Sequence, residues 1–454
     1  MAGIPRLISV RSIWIMLLPV ALPGFMSVPL RAQLPIHNWQ VAGPYPAAQV
    51  ARSAYPGFYA IFQAPWKEAG TADGGFLDLS LHIPREHSGG DLVLARVSFL
   101  SREERVINLE LEYSREVDLF FNGWKVFAGR RPNLFRDSLD RGIENGKDQV
   151  PLYAKEGMNE IFLMVSSDSK EWGFRAGTDV ELDPVPRDHG AAEQAWITPD
   201  SFLTPESVLK DPNRDVLYVT NFDNEYATKT EPSGYISRLG LNGEILDLHW
   251  VDGLNAPTGM DIWQDTLFVA EREALLAIEL STGEVAGRWA IPDPVFPNDL
   301  IIDGEGTIYI SDTRTGDWAE SRIYRFRNRE FDVFANEGIS RANGLWIHDG
   351  WLIVGSSGDG LLKRVELSTG RIENVVSFGA GIIDGIRTDP GGDLLVSRWE
   401  GQLFRISPEG EVIELLDAQP EGWNTADFEY LPDQGLLIIP TFLDNRVRGV
   451  RIRR

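Results

Sequence analysis

Short apolar runs recur at nearly constant spacing in the second half of the chain. Equivalent positions in six runs are 50, 41, 44, 42 and 42 residues apart, and they are Leu217, Leu267, Ile308, Leu352, Leu394 and Leu436. A turn and a second apolar run follow each of them, and several repeats add a Gly-containing turn and a further strand. Four strands in a period of about 40–45 residues are typical of a propeller blade. The pattern predicts an all-β, six-bladed β-propeller over residues 195–454.

The sixth repeat is one strand short, because the chain stops after its third apolar run. A strand from elsewhere must complete the blade if the sheet is to have no open edge. We expect Ala195–Thr198, just before the first repeat, to pair with residues 447–450.

Residues 34–183 show a different pattern of short alternating strands, such as the one through Val93, Ala95 and Val97. This alternation predicts a jelly-roll-like β-sandwich. Its segment Asp118–Gly123 resembles the carbohydrate-binding-like sandwiches attached to glycosidases. Residues 184–194 contain two prolines and a glycine and are the predicted linker. The sandwich has four tryptophans that would either stack on sugar rings or fill its core, namely Trp39, Trp66, Trp124 and Trp172.

The first 33 residues have the layout of an export signal. Arg6 and Arg11 precede a largely apolar stretch, and residues 30–32 offer a cleavage site. An uncleaved membrane anchor is the alternative, although several prolines within the stretch would disturb a spanning helix. We expect cleavage and export to the periplasm or the extracellular space, with membrane contact only during export.

Charge and cysteine content narrow the possible functions. The formal net charge of −24 disfavours contact with nucleic acid, since phosphate backbones are themselves anionic. The chain has no cysteine, which removes disulfides, thiolate metal sites and a cysteine nucleophile. Cations, neutral sugars and lactones remain compatible partners.

One layer of residues is predicted to surround the propeller axis. The first strand of each blade lines the central channel, and aligning the blades by their second strands gives the residue that begins each first strand. These are Glu206, Thr258, Asn298, Asn343, Asp384 and Ala426. Two carboxylates and two amides in one layer suit a hard divalent cation such as Ca²⁺. Each such residue taken alone is more often part of a turn, and only their convergence on one axis favours a metal site.

Several segments of this half resemble the regucalcin/gluconolactonase family of six-bladed propellers, with weaker similarity to paraoxonases and related calcium propellers. The resemblance covers residues 201–454 and rests on Pro205–Val208, Pro297–Asp299, Asp303–Gly306, Ala342–Leu345, Ile383–Gly385 and Asp389–Gly392. It implies Glu206, Asn343 and Asp384 as metal ligands. It also implies that Asn298 contacts the metal or the substrate and that Asp384 is the general base. The reaction that it implies is hydrolysis of a sugar lactone.

One position departs from the family. Its lactonases tend to have an arginine two residues before the Asn-Asp pair, where this chain has Phe296. Arg314 or Arg398 would have to replace it from the same face. Other residues predicted to contact substrate or to surround the site are Asn221, Asp223, Thr258, Glu271, Asp299, Asp312, Arg398 and Trp399.

Two functions follow from these features. The first is a Ca²⁺-dependent hydrolase of a lactone or related ester, with metal and water held in the channel. The second is a non-catalytic propeller that binds a glycan or a protein through the same face. Asp384 favours the first function, and Phe296 weakens it.

Overall fold

The structure is a computed structural model, which describes residues 33–48, 50, 65–72, 74–84, 86–87, 90–130, 147–167, 172–223, 232–313 and 321–453. The predicted export signal lies outside these ranges except for Gln33. Among the described residues, no helix combines the length and apolar character needed to cross a membrane. The regular structure of these residues is almost entirely β, which confirms the predicted fold class.

Twelve strands among the described residues form the N-terminal sandwich. They are β1 (Leu34–Pro35), β2 (Asn38–Pro46), β3 (Lys67–Gly70), β4 (Phe76–Asp78), β5 (Asp91–Ser101), β6 (Arg105–Tyr113), β7 (Glu116–Phe121), β8 (Trp124–Arg130), β9 (Asp148–Ala154), β10 (Gly157–Ser167), β11 (Gly173–Thr178) and β12 (Asp183–Pro184). One sheet runs β1-β11-β6-β9, with β4 also on β11. The other contains β3, β2, β5, β10, β7 and β8, with β12 also on β5.

The sandwich core fills the space between these two sheets. Alternate residues of the central strands, such as Ile161, Leu163 and Val165 of β10, enter this core. Trp39 and Trp172 are buried in the same cluster, so they have the core role rather than the sugar-stacking one. Trp66 is buried beneath Arg96, whereas Trp124 is exposed at a hairpin.

The remaining strands form six four-stranded antiparallel blades. Blade 1 has β14 (Pro205–Lys210), β15 (Val216–Asn221), β16 (Gly234–Gly240) and β17 (Ile245–Leu254). Blade 2 has β18 (Met260–Trp263), β19 (Thr266–Ala270), β20 (Ala274–Glu279) and β21 (Val285–Ala290). Blade 3 has β22 (Pro297–Ile302), β23 (Ile308–Asp312), β24 (Arg322–Arg327) and β25 (Glu330–Ala335).

Blade 4 has β26 (Ala342–His348), β27 (Trp351–Ser356), β28 (Leu361–Glu366) and β29 (Ile372–Phe378). Blade 5 has β30 (Ile383–Thr388), β31 (Leu394–Arg398), β32 (Gln402–Ile406) and β33 (Val412–Asp417). Blade 6 has β34 (Glu429–Leu431), β35 (Leu436–Thr441), β36 (Arg446–Ile452) and, from before blade 1, β13 (Ala192–Ile197). Short 3₁₀ turns occur at Leu79–Leu81, His189–Ala191, Gln419–Glu421 and Phe442–Asp444.

The blades close into a ring through their apolar faces. Separate buried clusters lie between blades 1 and 2, 2 and 3, 3 and 4, 4 and 5, 5 and 6, and 6 and 1. The innermost strands also contact one another in order, from β14 round to β34 and back to β14. Because burial of apolar surface is the main stabilising term in folding, each blade depends on both of its neighbours.

The predicted strand exchange is confirmed, with a longer strand than expected. Thr198 donates its N–H to Val447 O at 3.0 Å, and Ile197 pairs with Arg448. The strand continues back to Ala192, which pairs with Ile452, so residues 192–194 of the predicted linker belong to this blade. The first and last segments of the propeller are thereby held in one sheet.

The rest of the predicted linker is packed against the propeller. Val185 is buried in the cluster between blades 4 and 5, and Arg187 forms a parallel bridge with Glu414. A second parallel pairing joins Gly157 and Met158 of the sandwich to Ser377 and Phe378 of β29. The contact between the two halves therefore consists of sheet pairing and apolar packing in addition to the covalent connection.

Candidate metal centre and active site

The innermost strands begin with a β-bulge in four blades. Pro297 pairs with Asp312 and Leu300 with Ile310, so three steps along β22 match two along β23. The same irregularity occurs at the start of β14, β26 and β30. Because the bulge adds one residue to the strand, side chains three positions apart point to the same face.

This spacing gives the channel a second layer of residues. The side chains three positions after the six predicted ring residues all line one cavity of about 320 Å³, and they are Leu209, Asp261, Ile301, Trp346, Arg387 and Glu429. Their common location supports the alignment of blades that defines the ring. The ring and this second layer are successive layers of the channel.

The ring residues with side-chain oxygens are buried although they are polar or charged. Glu206, Asn298, Asn343 and Asp384 are 7, 6, 5 and 2% exposed, respectively. Buried polar groups normally have hydrogen-bond partners, because an unpaired one loses its hydration without compensation. Three of these side chains break that rule, since Glu206 Oε2, Asn343 Oδ1 and Asp384 Oδ1 are buried with no hydrogen-bond partner.

The two ring carboxyls influence each other electrically. Burial raises the pKa of Glu206 well above its ordinary value, and the charge of Asp384 adds to that rise. Burial likewise raises the pKa of Asp384, with further contributions from Asp427 and Asp299. The effect of the Asp384 charge on Glu206 indicates that the two carboxyls face the same channel. A cation between them would relieve both the repulsion and the missing hydrogen bonds.

Asp427 is a carboxylate near the ring that the sequence analysis missed. It follows Ala426, which contributes no oxygen, just as Asp299 follows Asn298. Its Oδ2 accepts a hydrogen bond of 2.6 Å from the Ser207 hydroxyl, and its backbone N–H donates to Glu206 O at 3.1 Å. The repeat pattern could have identified Asp427, because an acidic residue comes one position after the ring residue in two blades.

Arg387 supplies positive charge beneath the ring. Its Nη1 lies 3.2 Å from Asp427 Oδ1, and its guanidinium lies over the Trp346 ring at 5.1 Å. Burial opposes its charge, but the carboxylates of Asp427 and Glu429 outweigh this and raise the pKa of Arg387. A guanidinium held in this way is fully ionised and offsets part of the negative charge in the channel.

Three of the predicted substrate residues form hydrogen bonds with the backbone. Thr258 donates its hydroxyl to Pro297 O at 3.1 Å. Both carboxylate oxygens of Asp299 accept backbone N–H groups, from Leu300 and from Leu345 of the next blade, each at 2.6 Å. Asp312 accepts the N–H of Phe296 at 2.7 Å. These contacts fix the entry of the innermost strands and therefore the position of the ring.

Three of the other residues predicted to surround the site also have polar partners. Asn221 donates to Ser237 Oγ at 3.1 Å, and Glu271 accepts the N–H of Asn255 at 2.8 Å. Arg398 is buried between Glu400 and Glu160, with nitrogen–oxygen distances of 3.9 and 4.0 Å, so its side chain extends towards the sandwich. Arg314, the alternative, lies outside the described residues, and Asp223 is half-buried just after β15.

Apolar side chains gather at the ring end of the channel. We call this cluster the apolar collar, and it consists of Phe222, Ala256, Phe296, Trp399, Phe442 and Leu443. Phe442 meets Phe222 and Trp399 edge to face, each with ring centroids 5.6 Å apart. Trp399, predicted as a substrate residue, is thus part of a larger apolar surface.

No group of three or more His, Cys, Asp or Glu side chains in the described part of the chain has the arrangement of a metal site. The ring has only two carboxylates, and its remaining oxygens come from amides. Amide carbonyls are ordinary ligands for Ca²⁺ but not for metals that select imidazole or thiolate. The donor set together with the three orphaned oxygens fits a hard divalent cation.

These features define the C-terminal half as an all-β propeller with a candidate ligand ring at its axis. Residues 204–426 match the family described as SMP-30/Gluconolactonase/LRE-like region. This part of the chain therefore resembles the regucalcin/gluconolactonase family, as its motifs predict. No curated protein matches the sequence.

Among the solved structures similar to this chain are two lyases and a calcium-binding protein. A catalytically inactive virginiamycin B lyase from Staphylococcus aureus with quinupristin is 11% identical, with a TM-score of 0.43, over 58% of this chain and 99% of that one. A streptogramin B lyase is 12% identical, with a TM-score of 0.44, over 58% and 97%. A calcium-binding regucalcin from Agrobacterium tumefaciens is 17% identical, with a TM-score of 0.44, over 56% and 92%.

Proposed function

We propose that this protein is a divalent-metal-dependent hydrolase of a lactone or related ester, with Ca²⁺ as the metal. The observation that carries the proposal is the ring at the channel axis, where Glu206, Asn343 and Asp384 each bury an oxygen that has no hydrogen-bond partner. Buried oxygens that repel one another are costly unless a cation neutralises them. The resemblance of residues 204–426 to a lactonase-containing family supports the same reaction.

Glu206, Asn298, Asn343 and Asp384 would hold the cation. When bound, it would polarise the substrate carbonyl and stabilise the negative charge that develops on its oxygen. Four protein side chains provide fewer than the six to eight oxygens that Ca²⁺ takes, which leaves room for water and substrate. Asn298 would also be available to orient the substrate, because it belongs to the same layer of the channel as the other proposed ligands.

Asp384 is the proposed general base. Burial and neighbouring carboxylates raise its pKa, which brings it closer to the range in which a carboxylate accepts protons effectively. Its carboxylate would take a proton from a water molecule as that water adds to the ester carbonyl carbon. The proton would then pass to the departing alkoxide oxygen, so that one water is consumed and a hydroxy acid is released.

Export is part of the same proposal. The charged and then apolar order of the first 33 residues supports passage through a membrane and release to the periplasm or the exterior. The substrate would then be a small molecule present outside the cytoplasm, and Ca²⁺ is abundant enough there to occupy a site of modest affinity.

A panel of lactones and esters, assayed with Ca²⁺ and with EDTA, tests the proposal. We expect turnover of at least one compound, loss of that turnover on chelation, and recovery when Ca²⁺ is restored. Absence of turnover across the panel, together with capture of a glycan or protein by the ring face, would replace the hydrolase with the non-catalytic propeller.

A further inference from the structure

The apolar collar lies at the face of the propeller where the ring residues begin. Phe222, Trp399 and Phe442 each come one residue after the end of the second strand in blades 1, 5 and 6. Phe296 and Ala256 come just before the innermost strands of blades 3 and 2. These strand ends lie at the same face of the propeller as the ring residues. Five of the six blades therefore contribute a residue to the collar at that face.

Backbone hydrogen bonds join the collar to the segments that carry the ring. Trp399 N–H donates to Ile382 O at 3.0 Å, two residues before Asp384. Phe222 N–H donates to Leu203 O at 3.1 Å, three residues before Glu206. Phe296 lies two residues before Asn298 on the same segment of chain. The collar is therefore the layer next to the ring. A substrate bound at the ring lies against the collar.

Burial within the collar shows which side chains are available for contact. Phe222, Ala256 and Phe442 are buried, whereas Phe296, Trp399 and Leu443 are half-buried. The ordered edge-to-face contacts of Phe442 with Phe222 and Trp399 support the half-buried side chains from behind. A rigid apolar surface of this type stabilises apolar groups, and apart from the indole N–H of Trp399 its side chains have no hydrogen-bonding group for a hydroxyl.

We infer that the site selects a lactone or ester whose part away from the carbonyl is apolar, such as an alkyl or aryl chain, over a polyhydroxylated sugar lactone. The inference rests on the proposed hydrolase function and names its substrate class. A sugar lactone would bury hydroxyls against Phe296 and Leu443, whose side chains have no hydrogen-bonding group, which is costly, whereas an alkyl chain would gain from the same burial. Phe296, Trp399 and Leu443 are the specificity-determining residues.

A matched series of substrates tests the inference. γ-Lactones with alkyl side chains of increasing length are compared with glucono-δ-lactone at saturating Ca²⁺. We expect kcat/KM to rise with chain length, by several-fold or more for each pair of methylenes while the chain remains within the collar. Faster turnover of the sugar lactone than of every alkyl lactone would overturn the inference and leave the hydrolase standing. No turnover in either series would overturn the hydrolase, and the inference with it.

Two variants distinguish the effect of the collar on substrate selectivity from a general effect on folding. Phe296→Ala should lower kcat/KM for the longest active alkyl lactone at least tenfold and change that for the shortest one little. Phe331→Ala is the matched control, because Phe331 is a half-buried aromatic residue on the outer strand β25 that packs against Phe326. Equal losses for short and long lactones in Phe296→Ala, at an unchanged melting temperature, would contradict the role of the collar.

Discussion

Ser207 donates its hydroxyl to Asp427 Oδ2 at 2.6 Å, and this bond joins the first blade to the last. The backbone supports the same junction, since Asp427 N–H donates to Glu206 O and Val208 N–H donates to Asp427 O, both at 3.1 Å. Glu206 lies in the middle of this contact. Closure of the propeller and placement of a ring carboxylate therefore depend on the same few atoms.

Ser207→Ala should destabilise the protein while leaving its fold intact. The change leaves a buried carboxylate oxygen without its hydroxyl donor, and losses of this kind cost about 1–3 kcal/mol. Urea denaturation followed by tryptophan fluorescence measures the free energy of unfolding. Ser201→Ala is the matched control, because Ser201 is exposed and its removal should change that free energy by less than about 0.5 kcal/mol.

Asn343→Ala should weaken the response of the protein to Ca²⁺. A cation that binds only the folded state raises the melting temperature as its concentration rises. Deletion of the Asn343 amide removes one predicted ligand and leaves the ring charge unchanged, so more Ca²⁺ should be needed for the same shift. Asn213→Ala, at an exposed turn position, should behave as the wild type in the same thermal titration. Identical Ca²⁺ responses of all three proteins would remove Asn343 from the ligand set.

The stability of the Ca²⁺-free protein should fall as pH rises above the ordinary carboxyl range. The pKa values of Glu206 and Asp384 are raised by burial and by like charge above their ordinary values of 4.5 and 3.8. The unfolded chain therefore loses these protons at lower pH than the folded protein does. Because the folded state then binds more protons, stability declines from about pH 4 upwards until the raised pKa values are passed.

Ca²⁺ should reverse this trend, since it binds the ionised carboxylates. The increase in melting temperature at a fixed Ca²⁺ concentration should therefore grow from pH 5 to pH 7. Thermal scans with Ca²⁺ and with EDTA across that interval measure the difference directly. A shift that is constant with pH would show that neither Glu206 nor Asp384 changes protonation when the metal binds.

Asp384→Asn should abolish hydrolysis even when the metal site is filled. The substitution keeps the shape of the side chain and one possible ligand oxygen, but it removes the proposed base. General bases contribute about 10²–10⁴-fold to rate, so kcat should fall by at least 10² at saturating Ca²⁺. Thermal titration establishes saturation independently of activity. Full recovery of kcat at high Ca²⁺ would mean that Asp384 serves only as a ligand.

The repeat pattern predicted most of the propeller because it depends on local features. Apolar alternation and turn glycines recur in every blade, and they place Asn343 and Asp384 at equivalent positions without knowledge of the fold. The exchange of residues 195–198 into the last blade also followed from the sequence, since an unpaired edge had to be covered. The extension of this strand back to Ala192 could not be predicted from the sequence, because its pairing with Ile452 depends on where the last blade ends.

Features that depend on contacts between distant segments could not be predicted in this way. The sequence predicted Asp299 and Arg398 as substrate residues, but it could not show that Asp299 accepts a backbone N–H from the neighbouring blade or that Arg398 extends towards Glu160. Asp427 was overlooked because the ring position before it is Ala426, which has no side-chain oxygen to draw attention to that blade. The packing of Val185 between blades 4 and 5 likewise has no local signal, since short proline-containing segments are usually exposed linkers.

Gly344 offers a test of the ring that leaves every ligand in place. A Cβ at this position would lie 1.6 Å from the carbonyl oxygen of Asp384, a backbone atom that cannot move without displacing the strand that carries the ligand. Gly344→Ala should therefore push the starts of β26 and β30 apart. Overpacking in a well-packed region costs about 1–3 kcal/mol, and the same displacement should weaken Ca²⁺ binding because Asn343 and Asp384 no longer keep their spacing.

Gly304→Ala is the matched control, since a Cβ there meets no atom within 4 Å. Its free energy of unfolding and its Ca²⁺ response should both stay close to those of the wild type. For Gly344→Ala, we expect a lower free energy of unfolding in EDTA and a smaller gain in melting temperature when Ca²⁺ is added. A variant that loses stability but retains the full Ca²⁺ response would show that the cation is held away from Asn343 and Asp384, because the strain at Gly344 acts between the two strands that carry them.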